Sequence, residues 1–269
     1  FLQNAEHCLY NNLTLKLMKK IYAFITARSS STRLSQKCFL DFNGINTLEH
    51  IILRCKYGNL FPIICTTTNK KDNKIEKIAK DLKIPYFRGP EKNKILRWFL
   101  CAKKFNIKIF HTVDADDPFF DWTAINKSMQ QLDLKKIDIM FPSKVSWNGG
   151  ASEGYSISFK CLEKIFKFNP SLKKESKELE FIEPYVRNKK FKFKTFKGMS
   201  YEIKSARLTL DYNEDYIFLK KISKHNGSFN DRKNINFFLK KNSNLLKINL
   251  HKNFDWKKKQ NKIISEVKL

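Results

Sequence analysis

The chain has 269 residues, of which 42% are hydrophobic, and this composition is sufficient for a folded domain with a sizeable core. The formal net charge of +27 arises from 53 Lys and Arg against 26 Asp and Glu. Such an excess is compatible with a polyanionic partner, but lysine dominates it, and abundant Asn, Ile and Phe indicate a bias toward AT-rich codons. We therefore expect no nucleic-acid partner.

No apolar run approaches the roughly 20 residues that a membrane helix needs. The six cysteines are scattered without a C-x-x-C pair, and several lie inside apolar runs, which is typical of reduced core residues. We therefore expect a cytoplasmic protein that is neither exported nor inserted into a membrane.

The first half of the chain is predicted to alternate strands with helices. Strand KIYAFIT (20–26) precedes a helix at 47–57, which Asn46 caps, with Glu49 in its first turn and Gly58 beyond its end. Periodicity then predicts a strand at 60–66, a charged helix ending near 80, a short strand IPYF, a helix at 93–105 and a strand at 107–113. This order predicts the α/β class: a mostly parallel central sheet flanked by helices, with ligands at the carboxyl ends of the strands.

The second half is less regular. We predict a helix at 121–132, a strand at 138–141, a loop WNGGASEGY, a strand leading into a helix near 162, a helix at 179–188, a strand ending at 210 and a helix capped by Asn213. In KKFKFKTFKG, Phe191, Phe193 and Thr195 share one face at the strand period, which favours a half-buried strand with lysines outside. Residues 1–17 are predicted to be a peripheral extension, 18–225 the main domain, and 226–269 a helical segment packed on it.

The first loop, residues 27–37, follows the first strand and has the sequence ARSSSTRLSQK. It places Arg28, Arg33 and Lys37 beside the consecutive hydroxyl side chains of residues 29–32, with no acid in the loop to neutralise them. Guanidinium groups bind phosphate oxygens in pairs and lysine supplies a point charge, so the composition suits a triphosphate. A solvated basic loop is the alternative interpretation.

The second loop, residues 114–121, follows the strand at 107–113 and is rich in aspartate. Asp121 is predicted to cap the next helix and Asp117 to serve as a turn residue before proline. Asp114 and Asp116 remain as ligand candidates for Mg²⁺, which prefers one or two carboxylates together with substrate phosphates. Asp211 ends a predicted strand, and a turn residue and a ligand are equally compatible with its position.

Several well-known catalytic motifs are absent. The sequence contains no G-x-G-x-x-G, no G-x-S-x-G and no H-E-x-x-H. Its five histidines are dispersed, which is typical of structural or exposed side chains.

Ordered segments from residue 18 onward resemble one family. The opening ITARSSSTRLSQK is similar to the A-R-x-G-S-T-R-L-P-x-K pattern of the spore-coat polysaccharide (SpsF-like) cytidylyltransferases, which are relatives of the acylneuraminate and KDO cytidylyltransferases. FRGPEKNKILRW resembles their R-G-S-E-x-D-V-L-x-R-Y, TVDADDPFFD their T-G-D-x-P-x-x-D, and RLTLDYNEDYIFL their R-L-T-V-D-T-P-E-D-L. NSNLLKINLHKN is similar to the family's closing segment.

The resemblance implies a nucleotide-diphospho-sugar transferase (GT-A-like) fold and a reaction of CTP with an acid sugar that gives a CMP-sugar and pyrophosphate. By position, Arg28, Arg33 and Lys37 would hold the triphosphate, and Asp116 and Asp211 would bind Mg²⁺. These five residues are the catalytic candidates. Further nucleotide contacts are expected from Ala27, Ser31 and Arg88, and sugar contacts from Asp114, Glu153 and Tyr155. A homodimer is compatible with the resemblance.

The chain departs from the family pattern at Ser30, which replaces a glycine, and at Ser35, which replaces a proline. Glu153 also differs in spacing from the family's acid. Base preference and the identity of the sugar therefore stay open. Two other classes stay open as well: a glycosyltransferase that uses Asp114-Ala115-Asp116 as its metal motif, and a basic nucleic-acid-binding protein.

Overall fold

The structure is a computed structural model that describes residues 20–30, 33–147, 153–227 and 229–258. Within these residues, seven strands form one sheet: β1 (Tyr22–Thr26), β2 (Phe61–Thr67), β3 (Tyr86–Gly89), β4 (Ile109–Asp114), β5 (Ile139–Phe141), β6 (Ser156–Ser158) and β7 (Phe193–Thr195). The helices are α1 (Thr47–Tyr57), α2 (Asn73–Asp81), α3 (Lys94–Lys104), α4 (Trp122–Leu134), α5 (Lys144–Trp147), α6 (Phe159–Phe168), α7 (Glu183–Val186), α8 (Asn213–Asn226) and α9 (Arg232–Lys241). Short 3-10 helices cover Lys37–Phe39, Lys70–Asp72, Pro170–Lys173 and Ser243–Ile248.

The sheet order is β3-β2-β1-β4-β6-β5-β7. Strands β3, β2, β1 and β4 are parallel neighbours, β5 and β7 are also parallel, and β6 runs antiparallel to β4 and β5. Thr26 at the end of β1 lies opposite both Cys65 and Asp114. Because parallel strands end at the same edge, the first and second loops leave the sheet side by side. The predicted α/β class with a mostly parallel sheet is confirmed.

Helix α1 shows how local sequence sets these elements. Asn46 accepts a hydrogen bond from the Glu49 amide at 2.9 Å, and Gly58 lies just past the last turn, so the predicted bounds and cap are confirmed. The apolar face of the helix is buried beneath the sheet, together with β1, β2 and α2. A second core of β1, β4, α3 and α6 covers the opposite face.

A third hydrophobic cluster lies outside these two layers. Leu208 and Leu210 are buried against α8 and α9, and Phe42 and Phe119 join them. Helix α9 and the 3-10 helix Ser243–Ile248 contribute apolar side chains to this cluster. The division of the chain into a main domain and a C-terminal segment stays a prediction. Residues 1–17, predicted as a peripheral extension, lie outside the described residues.

Two predicted elements in the second half are wrong. Of the helix at 179–188, only Glu183–Val186 is helical, because Leu179 instead exchanges backbone hydrogen bonds with Lys92 and Lys94. The strand predicted to end at Leu210 lies outside the sheet. This segment crosses the second loop, where the Leu210 amide donates to the Asp116 carbonyl at 2.7 Å.

The strand within KKFKFKTFKG exists, but its predicted half-buried face is wrong. Strand β7 is limited to Phe193–Thr195 at the edge of the sheet, and all three of its residues are exposed. The buried phenylalanines are Phe191 and Phe196, on either side of the strand. Edge strands have one free side, so alternation in the sequence is a weak guide to burial there.

The predicted cap of α8 is also wrong. Asn213 is the first helical residue, and the amides of Asp211 and Tyr212 donate instead to Asp215 Oδ2, each at 3.0 Å. Asp121 does cap α4 as predicted, accepting from the Thr123 amide at 2.9 Å. Among the described helices, none combines the length and apolar character that a membrane span requires.

Candidate active site

The lysine of the first loop lies between two carboxylates from distant parts of the chain. Lys37 begins a 3-10 helix, and its Nζ donates to Asp116 Oδ2 in the second loop and to Asp211 Oδ1 at 3.0 Å. Three residues that the sequence placed in one site therefore meet at a single ammonium group. The bridge spans the edge where β1 and β4 end.

Asp211 is held by two further cations. Arg33 Nη2 lies 2.7 Å from its Oδ1, and Arg207 Nη2 lies 3.3 Å from its Oδ2. The Asp211 side chain is only 2% exposed, against 23% for Asp116. Asp211 is thus a buried carboxyl group in contact with Arg33, Lys37 and Arg207.

The charges of this site support one another. Burial by itself lowers the pKa of Lys37. The attraction of Asp116 and Asp211 exceeds this effect, so the net result is a raised lysine pKa. Burial likewise opposes the charge of Asp116, whereas Lys37 and Arg33 lower its pKa below the usual value. Because each group keeps the other ionised, lysine and carboxylate are both charged at neutral pH.

The second loop offers carboxylates that fit a divalent cation. Asp114, Asp116 and Asp117 can each present an oxygen within 4.8 Å of the others. The turn predicted for Asp117 is present, since its carbonyl accepts from the Phe120 amide at 3.1 Å. Its side chain, however, is 2% exposed, and its Oδ1 has no hydrogen-bond partner among the described residues.

Burial raises the pKa of Asp117 well above the usual range, and Asp116 and Asp114 raise it further. Burial also raises the pKa of Asp114, although Lys94 opposes that shift. Three carboxylates that can bring oxygens this close together, one of them with an unpartnered buried oxygen, offer the hard oxygen ligands that Mg²⁺ prefers. The residues present therefore fit Mg²⁺.

The start of the first loop is fixed by an aspartate that the sequence analysis missed. Asp72 is buried, and its Oδ1 accepts from the Ser29 amide at 2.8 Å and from the Ser29 hydroxyl at 2.6 Å. The Thr67 hydroxyl donates to its other oxygen. Ala27 is itself buried, and its amide donates to the Cys65 carbonyl at 3.3 Å. The backbone entering the loop is thus held rigidly against β2.

Arg28 and Arg88 are placed differently from Lys37. Arg28 pairs with Glu180 at 2.7 Å at the rim of the site, and Glu180 is a second residue that sequence reasoning missed. Arg88 donates to the carbonyls of Thr67 and Asn69 and pairs with Glu76 at 2.6 Å, so its guanidinium faces the β2–α2 connection. Ser31 lies outside the described residues.

The three residues predicted to contact the sugar lie at one edge of the sheet: Asp114 ends β4, and Glu153 and Tyr155 precede the antiparallel β6. The Tyr155 hydroxyl donates to Glu183 Oε1, and its ring lies 6.4 Å from that of Trp98. Glu153 Oε2 accepts from the Ser143 amide at 2.5 Å, and its carbonyl contacts His111 Nε2 at 2.6 Å. Asp114 and Glu153 both line one narrow cleft, so the structure brings these two together.

Gly154 is required within this cleft. It has a φ of +62°, and a Cβ at this position would collide with the Thr112 carbonyl oxygen. The glycine therefore allows the chain to cross close over the end of β4 between Glu153 and Tyr155. The glycines of the predicted loop WNGGASEGY indicated such a close crossing of the backbone. Residues 148–152 of this loop are outside the described residues.

The chain is similar to proteins described as cytidylyltransferases. Residues 22–144 match the sequence profile of a family described as Cytidylyltransferase. An uncharacterized protein of Methanocaldococcus jannaschii is 29% identical over 236 residues, covering 86% of this chain and 94% of that protein. A cytidylyltransferase from Leptospira borgpetersenii superposes with a TM-score of 0.71 and 26% identity, covering 85% of this chain and 97% of the other.

CMP:2-keto-3-deoxy-manno-octonic acid synthetase, solved with CTP, superposes with a TM-score of 0.59 at 13% identity, covering 77% of this chain and all of that one. This likeness concerns the fold. The fold gathers cations and carboxylates at the edge where parallel strands end. Together with the match over residues 22–144 and the Leptospira structure, it supports a CTP-utilising nucleotidyltransferase.

Proposed function

We propose that the enzyme transfers CMP from CTP to an acid sugar, of the nonulosonic or a related type, for surface polysaccharide or glycan synthesis, as the spore-coat subtype of the family would. A sugar oxygen attacks the α-phosphorus of CTP and a new P–O bond forms. The bond between the α-phosphorus and the bridging oxygen breaks, pyrophosphate departs, and the proton of the attacking hydroxyl passes to the solvent. No covalent enzyme intermediate is needed.

The observation that carries this proposal is the position of Lys37. Its ammonium lies at the end of the first loop and contacts both Asp116 and Asp211. Arg33 approaches Asp211 from the same loop at 2.7 Å. In-line transfer depends mainly on positioning and charge neutralisation, and this arrangement supplies both without a protein nucleophile.

Charge balance indicates what the site needs when CTP binds. Arg33, Lys37 and Arg207 are balanced by Asp116, Asp211 and the buried Asp215. A triphosphate brought into this neutral set would repel the carboxylates unless further positive charge came with it. In this proposal, Asp116 and Asp211 hold Mg²⁺, with Asp114 and Asp117 beside them.

Bound there, Mg²⁺ would neutralise phosphate charge and orient the triphosphate. The protein's own part is to bind and align the substrates. In this proposal Lys37 and Arg33 bind phosphate oxygens, and Asp72 fixes Ser29 at the start of the same loop. Asp114, Glu153 and Tyr155 face the sugar and restrict its approach.

The choice of an acid sugar follows the sequence resemblance. The fold likeness to an enzyme of 2-keto-3-deoxy-manno-octonic acid supports it without identifying the sugar. A cytoplasmic location belongs to the same proposal, and the five cysteines within the described residues, all free and buried, support it. A homodimer is proposed on the resemblance alone.

A pyrophosphate-release screen tests the proposal. The four NTPs are each combined with a panel of acid sugars and Mg²⁺, and the Asp116→Asn variant provides the control for contaminating activity. We expect release with CTP and one class of acid sugar only. Release that requires a neutral sugar would overturn the acceptor assignment. Turnover of a nucleotide-sugar donor, without any use of CTP, would instead favour a glycosyltransferase.

A further inference from the structure

The C-terminal segment contacts two residues that in turn hold Asp211. Asn249 follows the 3-10 helix Ser243–Ile248 and is 1% exposed. Its Nδ2 donates to Asp215 Oδ1 at 2.8 Å and to the Arg207 carbonyl at 2.9 Å. Asn249 thus links Arg207 and Asp215, which precede and follow Asp211 in the sequence.

Asp215 and Arg207 in turn hold Asp211 from two directions. Asp215 is fully buried and accepts from the Asp211 amide, while its Oδ1 pairs with Arg207 Nε at 2.9 Å. Arg207 Nη2 then reaches Asp211 Oδ2 at 3.3 Å, and its Nη1 donates to Asn253 Oδ1 at 3.2 Å. We call Arg207, Asp211, Asp215, Asn249 and Asn253 the Arg207 network.

The segment 206–210 is held by the packing of Leu208 and Leu210 against α8 and α9, but this apolar packing does not fix the side chain of Asp211. The segment lies outside the sheet, and among its described backbone bonds only that from Leu210 to Asp116 reaches the second loop. A carboxylate on such a segment would rotate unless polar partners fixed it. In the Arg207 network the Asn249 Nδ2 and the Arg207 guanidinium donate to carboxylate or carbonyl oxygens, whereas Asn249 Oδ1 has no hydrogen-bond partner among the described residues. Such buried donor–acceptor contacts favour one fixed orientation.

We propose that Asn249 is a positioning residue: through Asp215 and Arg207 it sets the orientation in which Asp211 faces Lys37, Mg²⁺ and the triphosphate. The C-terminal segment then belongs to the substrate-binding machinery and is more than a cover for the core. This inference rests on the proposed function, because it assumes that Asp211 acts on the Mg²⁺-bound triphosphate.

The test measures CTP affinity by isothermal titration calorimetry with Mg²⁺ and with EDTA. The ratio of the two affinities reports the Mg²⁺-dependent part of binding. For Asn249→Ala we expect this ratio to fall about tenfold, the lower end of the effect for residues that orient metal ligands. Asn249→Asp keeps the shape but removes the donor and adds a charge beside Asp215, so its ratio should fall at least as far.

Asn242→Ala is the matched control. Asn242 lies in the same segment and donates to the Phe238 carbonyl at 2.9 Å, away from the Arg207 network. Its ratio should equal that of the wild type even if thermal unfolding shows a similar loss of stability. If Asn249→Ala does not fold, Asn253→Ala, which removes a partly exposed contact to Arg207, should lower the ratio by about threefold, a fraction of the same effect.

Wild-type protein that fails to bind CTP would contradict the proposed function itself. If the wild type binds CTP and the affinity ratio is unchanged in the Asn249 variants, the positioning role is overturned and the proposed function stays intact. Where the Asn249 variants do not fold, an unchanged ratio in Asn253→Ala leads to the same conclusion. An equal fall of the ratio in Asn242→Ala would also overturn it, because general loosening of the segment would then explain the effect.

Discussion

The two acidic sides of the site are built in different ways. Asp116 stands on a short loop after a central parallel strand, and its side chain is 23% exposed. Asp211 stands on an irregular segment outside the sheet, and its side chain is 2% exposed among three cations. The first depends on strand geometry, whereas the second depends on polar contacts between residues far apart in sequence.

This difference predicts that substitutions of Asp116 and Asp211 have different effects on the stability of the fold. A carboxylate at a strand end can lose its charge while the backbone stays in place. A buried carboxylate that neutralises several cations cannot, since removing it leaves uncompensated charge in the interior. A substitution of Asp116 should therefore lower activity with little effect on stability, whereas a substitution of Asp211 should lower both.

The largest expected effect tests this contrast directly. Asp116→Asn and Asp211→Asn should each slow turnover about a thousandfold, equivalent to about 4 kcal/mol of transition-state stabilisation. In addition, Asp211→Asn should lower the free energy of unfolding by about 3 kcal/mol, while Asp116→Asn should change it little. Pyrophosphate release and urea unfolding measure the two quantities. Near-normal turnover of either variant at saturating Mg²⁺ would refute its role.

The second-largest expected effect is a pH dependence of stability that arises at His111, where parallel β4 meets antiparallel β6. His111 on β4 contacts Ser156 Oγ at 2.8 Å through Nδ1, and burial lowers its pKa from 6.5 to about 4. The unfolded chain therefore takes up a proton near pH 6.5 that the folded protein excludes until about pH 4. Stability should fall as pH decreases through this window, by on the order of 3 kcal/mol from this residue.

Urea unfolding of wild type and His111→Gln between pH 7 and pH 4 measures this contribution. The variant should show the shallower decline, whatever its stability at pH 7. His50 is also buried, with its pKa lowered to about 3, but it is common to both proteins and cancels in the difference. Identical pH slopes would show that His111 is not held neutral at this junction.

The smallest expected effect concerns the first loop. Lys37→Ala should weaken CTP binding about thirtyfold, because it removes a charged donor worth about 2 kcal/mol, and Arg33→Ala should act in the same direction. Lys70 and Lys71 serve as controls, since surface charge acts only through a field screened over roughly 8 Å. CTP titration at 0.15 M salt compares them. If the double Lys70→Ala, Lys71→Ala variant lost as much affinity as Lys37→Ala, general basicity would explain the binding.

The sequence was a good guide wherever local chemistry decides the structure. The cap and bounds of α1 were correct because Asn46, Glu49 and Gly58 act within one turn of the helix. The meeting of Lys37 with Asp116 followed from parallel strands ending at one edge. Resemblance added Asp211, whose own loop was equally compatible with a turn.

The remaining features depend on contacts that no local pattern encodes. Asp72 appeared only as one acid in a charged stretch, yet it anchors Ser29. Likewise, the segment ending at Leu210 has strand periodicity, but it is buried against α8 without a neighbouring strand. Tertiary packing outweighs local propensity in such cases.

The Arg207 network also has a consequence for biosynthesis. A chain grows from its amino end, and the parallel strands with both loops have emerged before Asp211 is made. Asp211 gains its final contacts only when residues 249 and 253 have also been translated and have left the ribosome. A nascent chain that has not yet been extended through residue 253 can thus form most of its core while the partners that orient Asp211 are still missing.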